Sequence, residues 1–270
     1  MNTLKKVLSV IMILVMVFAM AACGEEEKES NPGNESDMAY VKDKGTLVVG
    51  ITDFKPMDYK DENGEWIGFD ADMAKAFAKS LGVEAEFIEI DWDNKIFEIE
   101  GKSIDVIWNG MTLVKEVTSA LETSNPYCKN AQVVVVPKAV ADKYQTEDSI
   151  KELSFAAEAG SAGKEALEAR DCNITEVKTQ SDAVMEVAAG TSEACVIDLL
   201  MAGAMIGEGT SYEDLTYTLS LGEEEYGVAF RKGSDLAEAL NQFFKDSYED
   251  GSMMEIAKKY GVQEAIIEQK

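Results

Sequence analysis

From Gly45 onward, short apolar runs alternate with segments whose apolar residues recur every three or four positions. Residues 47–51 form a compact apolar run ending in a loop that holds Pro56, which predicts a strand. Gly68-Phe69-Asp70 then leads into a helix in which Asp70 is placed to cap, Met73, Phe77 and Leu81 share a face, and Gly82 is the stop. Residues 83–90 alternate imperfectly but sit between turn signals and predict a second strand. A helix over about 93–100, closed by Gly101, precedes a strand over 104–108. The second half repeats the theme, with strands over 133–136 (stopped by Pro137), 153–157, 174–177 and 194–197, and helices over 164–169 and 181–189. Two amphipathic helices, 235–248 and 253–260, finish the chain.

Strands alternating with crossover helices predict an α/β protein with parallel sheets. Two units of about a hundred residues each would turn their strand ends toward a shared cleft, where such sheets bind ligands. The N-terminus adds a location. Lys5 and Lys6 precede a nearly unbroken apolar run over 7–22, which at 16 residues is short of a bilayer span and reads as a secretory leader. Met20-Ala21-Ala22-Cys23 at its end resembles the lipobox of bacterial lipoproteins, which implies cleavage before Cys23, acylation of its thiol and attachment to the cell membrane. Residues 23–44, rich in acid, Asn, Pro and Gly at their start, are expected to be a disordered acidic tether.

Composition narrows the chemistry. Without residues 1–22, 23 basic and 51 acidic residues remain, a net charge of −28, which argues against nucleic acid as a partner. Histidine is absent, which removes the usual general base and the commonest metal ligand, so no metal, cofactor or catalytic residue is expected. Besides Cys23 there are Cys128, Cys172 and Cys195, with no zinc-type spacing. Buried free thiols are the expectation, although one pair could form a bridge outside the cell.

Two stretches, 64–75 (Gly-Glu-Trp-Ile-Gly-Phe-Asp-Ala-Asp-Met-Ala-Lys) and 101–112 (Gly-Lys-Ser-Ile-Asp-Val-Ile-Trp-Asn-Gly-Met-Thr), resemble the polar amino-acid-binding proteins of ABC importers. The resemblance continues in order through Ser124-Asn125-Pro126-Tyr127, Ala159-Gly160-Ser161, Val196-Ile197-Asp198 and residues 226–232. It implies a type II periplasmic-binding-protein fold: two lobes joined by crossing strands near 133–137 and 222–227, with 45–134 plus 226–270 as one lobe and 135–225 as the other together with the hinge segments. It also implies a monomer that closes over a small ligand and delivers it to a membrane permease.

Carried across position by position, the resemblance implies ligand contacts at Asp53 or Phe54 on the loop after the first strand, and at Trp92 as an aromatic wall. Asn109, Gly110, Thr112 and Ser161 would contribute backbone and hydroxyl groups, and Asp198 the carboxylate for an α-ammonium. Glu158, Asp198 and Asp53 would make the cleft acidic. Trp66 and Trp108 are read as packing residues, Asp70 and Asp72 as capping and solvated, Asp105 as a cap or local pair. Two positions depart from the family pattern. Val117 stands where an arginine usually forks onto the ligand's carboxylate, and Ala162 where a hydroxyl usually assists. The ligand is then a cation or lacks a free carboxylate, or else Lys115 or the N–H groups of 160–163 receive the carboxylate instead. A sensor lipoprotein is an alternative role. An enzyme using Glu158 and Asp198 for acid–base work is the least favoured one.

Overall fold

The computed structural model describes residues 36–270. The leader, the lipobox with Cys23 and most of the expected tether lie outside the described residues. No helix among the described residues is long and apolar enough to cross a membrane.

The first finding is a helix where tether was expected: α1, Asp37–Lys44. Ser36 caps it by accepting from the Ala39 N–H, and Gly45 ends it in the left-handed conformation (φ 79°). Val41 is fully buried, Asp37 pairs with Arg231 at 3.0 Å, and Lys44 reaches Asp105 at 2.5 Å. A capped turn with one buried valine and two ion pairs to the body is enough to dock a segment whose composition alone reads as linker. Asp105 is fully buried and also accepts from the Val48 N–H, so it ties α1 and β1 together, a pairing role.

Lobe 1 is built on β1 (Thr46–Ile51), β4 (Glu84–Glu89) and β5 (Val106–Thr112), parallel in the order β4-β1-β5. Between β1 and β4 lie a small hairpin, β2 (Tyr59–Lys60) with β3 (Trp66–Ile67), and helix α2 (Phe69–Leu81). Met73 and Phe77 of α2 are fully buried, as its spacing predicts, and Gly82 caps it. Its N-cap is Gly68, however, and Asp70 is drawn inward to a different task. A single 3₁₀ turn (Trp92–Asn94) and α3 (Lys95–Glu100) connect β4 to β5. After β5 come α4 (Lys115–Ala120) and β6 (Glu122–Thr123).

Lobe 2 starts in β7 (Cys128–Pro137) and holds α5 (Glu147–Ile150), β8 (Ser154–Glu158), α6 (Ala162–Glu168), β9 (Asn173–Val177), α7 (Gln180–Ala189), β10 (Ala194–Asp198) and α8 (Leu199–Met205). Strands β10, β8 and β9 are parallel, in that order. The long β11 (Leu215–Phe230) returns to lobe 1, where α9 (Leu236–Glu249) and α10 (Ser252–Tyr260) complete the chain.

Strands β7 and β11 pair antiparallel over nearly their whole length and join both sheets into one path. In β11, residues up to Tyr226 pair with β7, and from Tyr226 the strand also pairs with β5. Gln132 to Val135 already pair with β10, so the polar stretch 129–132 crosses and the valine run lies inside lobe 2. Val133 to Val136 are all buried, with alternate residues in two different cores, which is why a β-branched run belongs in a sheet covered on both faces. Cys128, Cys172 and Cys195 are free thiols; Cys172 is only half-buried.

Candidate functional site

Between the lobes lies a cavity of about 30 Å³, roughly the share of one water. Phe54, Trp92, Asn109, Gly110 and Thr112 line it from lobe 1, and Glu158, Ser161 and Asp198 from lobe 2. Eight of the nine contacts expected from sequence thus meet on one wall or the other. Asp53 does not: it is exposed and borders a separate hollow of about 860 Å³ with Lys55, Lys178 and Ser181. One step along an extended loop reverses the side chain, so Phe54 faces inward and Asp53 outward.

The lobe-1 wall is held by buried polar chemistry. The Asn109 side-chain carbonyl accepts from the Thr52 N–H (2.5 Å) and hydroxyl (2.8 Å), while its amide donates to Asp58 (2.8 Å) and to the Thr52 carbonyl (3.3 Å). All four of its hydrogen-bonding positions are therefore used inside the protein. Gly110 has φ 54°, and a Cβ there would run into the ring of Phe54. Its N–H donates to Asp70 at 2.6 Å, and Tyr127 donates its hydroxyl to the same carboxylate. The Asn109 side chain and the Gly110 N–H are therefore spent inside the protein and shape the cavity, which leaves the Gly110 carbonyl as the group there that could meet a ligand. Nor is Asp70 a cap: burial raises its pKa to about 7, and it anchors the end of β5. Burial, and then neighbouring Asp70, push Asp58 well above the carboxylate range. Asp72 is half-buried, paired with Lys259 at 2.7 Å and accepting from the Tyr260 hydroxyl at 2.7 Å.

On the lobe-2 side, Asp198 ends β10 and is buried. Its oxygens accept from Asn130, Gln132 (3.2 Å), Gln180 and the Tyr226 hydroxyl (2.6 Å). Four donors already serve a group with about four acceptor positions. Burial raises its pKa well above normal, with Glu224 adding to the shift. Glu158, at the end of β8, is different. It is 3% exposed, and its Oε1 has no hydrogen-bond partner. Burial lifts its pKa to about 8, against opposing effects of Lys95 and Gln180. Ser161 caps α6 by accepting from the Lys164 N–H at 3.1 Å.

The lobes touch across the cleft. Lys95 donates from Nζ to the Gly160 carbonyl at 2.8 Å, and Lys178 lies 3.4 Å from Asp91. A Cβ on Gly160 (φ 68°) would come within 2.7 Å of the Asp93 Cα. These contacts and the small cavity describe a shut trap.

A two-lobed α/β body with hinge strands and a cavity at its strand ends narrows the choice, and similarity to known proteins decides it. Residues 47–263 match the model of the bacterial extracellular solute-binding proteins, family 3. The chain belongs to that family. It is 27% identical over 263 residues to the arginine-binding extracellular protein ArtP of Bacillus subtilis (strain 168), covering 95% of this chain and 98% of that one. It is 30% identical over 269 residues to the glutamine-binding protein GlnH of the same organism's ABC transporters, covering 95% and 97%. Among solved structures, a mutant of ArgBP from T. maritima superposes with a TM-score of 0.78 at 31% identity, covering 83% of this chain and 98% of that one. This family 3 protein is accordingly an extracellular substrate-binding component of the ABC-importer type, for amino acids and related polar solutes.

Within the family frame, both departures fall on the cavity wall: Val117 and Ala162 line it, Val117 only 1% exposed. Lys115, a candidate carboxylate receiver, is exposed and off the wall. The basic residue that does line the cavity is Lys95, 5% exposed, with Nζ 5.0 Å from the Trp92 ring centroid. Lys95, Gln132 and Gln180 were not legible as site residues. A lysine three positions after the wall tryptophan, at the start of a helix, was the available signal.

Proposed function

We propose that this protein captures a cationic amino acid outside the cytoplasm and hands it unchanged to an ABC permease. The observation that carries the reading is Glu158, a buried carboxylate whose free oxygen lies at the wall of a cavity with a second acid, Asp198, close by. An orphaned buried acceptor costs about 1–3 kcal/mol, more for a charged group, so a site that keeps one is suited to a ligand donor. A cationic head would pair with Glu158 by charge-assisted hydrogen bonds, and Trp92 and Phe54 would hold its aliphatic stem. The arginine-binding relatives support this choice; Val117 and Ala162 set the site apart from one built around an arginine fork. Closure would convert ligand contact into a shape the permease can read.

We further propose that the mature chain begins at Cys23, is held to the membrane by acylation there, and acts as a monomer. Cys23→Ser should release the protein from the membrane fraction and abolish palmitate labelling; retention in that fraction would count against the anchor. Ligand class is tested by thermal shift against cationic, neutral and acidic amino acids and small amines. A ligand at 100 times its dissociation constant stabilises the fold by about 2.7 kcal/mol. Arginine, lysine or ornithine should give the largest shifts, and mass spectrometry should recover the ligand unaltered. A dominant response to glutamate or aspartate would refute the charge assignment.

A further inference from the structure

We propose that Lys95 receives the ligand's carboxylate, in place of the arginine that position 117 lacks. The inference rests on the reading that the interlobe cavity takes a cationic amino acid, and it decides whether that ligand keeps its carboxylate.

Lys95 opens α3 and presents its ammonium to the cavity from lobe 1. Nζ donates to the Trp92 carbonyl (3.2 Å) and to the Gly160 carbonyl (2.8 Å), which leaves one of its three N–H groups without a partner. Among the described residues, no carboxylate oxygen comes within 4.0 Å of it. Burial disfavours its charge, and Glu116, Glu158, Asp93 and Glu165 oppose that only through space, none of them within ion-pair distance. Glu158, on the facing lobe, feels the lysine's charge but does not touch it.

The cavity thus holds an ammonium with a spare N–H on one lobe and, on the other, a carboxyl group with an unpartnered oxygen that a cationic ligand would ionise. A zwitterion admitted by lobes set wider than in this shut state would satisfy both at once. An amine without a carboxylate would satisfy Glu158 and leave Lys95 facing a like charge. The other candidates are weaker. Lys115 is exposed and off the wall, and among the N–H groups of 160–163 that of Ser161 already donates to the Glu158 carbonyl.

Calorimetric titration with matched pairs tests this: arginine with agmatine, lysine with cadaverine, histidine with histamine. Wild type should bind at least one acid ten-fold or more tightly than its decarboxylated partner. Lys95→Met, which keeps the apolar stem, should weaken that acid at least ten-fold while changing the amine less than three-fold. Circular dichroism checks folding, and Lys95→Arg, expected to restore much of the preference, serves if the Met variant is unstable. Equal affinities within every pair, or an acid preference that survives loss of the lysine, would overturn the assignment and leave the cavity reading intact. If no member of any pair binds wild type, both fall together.

Discussion

Replacing Glu158 by Gln keeps the shape of a buried side chain and removes its ability to ionise. In the free protein Glu158 holds its proton to about pH 8, whereas the unfolded chain releases it near 4.5. A raised acid pKa means the folded state binds more protons than the unfolded state between these values, so stability falls as pH rises through that window and levels off above about 8. At pH 7 the gap amounts to about 3 kcal/mol carried by this one group. Glu158→Gln should therefore stabilise the ligand-free protein by about 3 kcal/mol at pH 7, about 6–12 °C in Tm for a body of this size. Near pH 4.5 the gain should vanish. Binding should move the other way. A cationic ligand needs the ionised carboxylate, so wild-type affinity should improve up to about ten-fold per pH unit between pH 6 and 8, with proton release. The variant should show neither the improvement nor the release. Scanning calorimetry at pH 5, 7 and 8, with titrations in buffers of different ionisation heat, reads all of this. A variant no more stable than wild type at pH 7, with an unchanged pH profile, would refute a dry, unpaired Glu158.

Three further outcomes follow from the structure. Asn109→Ala strips partners from Thr52 and Asp58 in a buried network and should cost about 2–4 kcal/mol by urea denaturation; a loss below 0.5 would show the network to be dispensable. Gly110→Ala forces a Cβ against Phe54 at positive φ and should cost at least about 1–3 kcal/mol and weaken ligand binding, and an unperturbed Tm would contradict the close approach. Lys178→Ala removes an exposed cross-lobe pair, so it should shift stability by no more than about 1 kcal/mol, and a larger loss would mean that pair helps hold the trap shut.

Much of the fold was legible because its signals are local. Met73 and Phe77 announce the buried face of α2, and the 133–136 valine run announces a central strand. The docked helix α1 was not legible, because what fixes it, Arg231 and Asp235, lies nearly two hundred residues away. Asp70 misleads for a related reason. At the first turn of a helix a carboxylate looks like a cap, and only the fold brings Gly110 and Tyr127 to it. In the site, aromatic and acidic wall positions came through with the family pattern, including the vacancy at Val117. Lys95 did not, since a lysine on a short helix reads as solvated until the second lobe closes over it.

The most direct test is a crystal structure with the tightest-binding cationic amino acid. The ligand should lie between Trp92 and the lobe-2 wall, its cationic head about 3 Å from the Glu158 carboxylate and its carboxylate about 3 Å from Lys95 Nζ. Density confined to the hollow beside Asp53, or a bound ligand touching neither Glu158 nor Lys95, would contradict a cleft built to hold opposite charges.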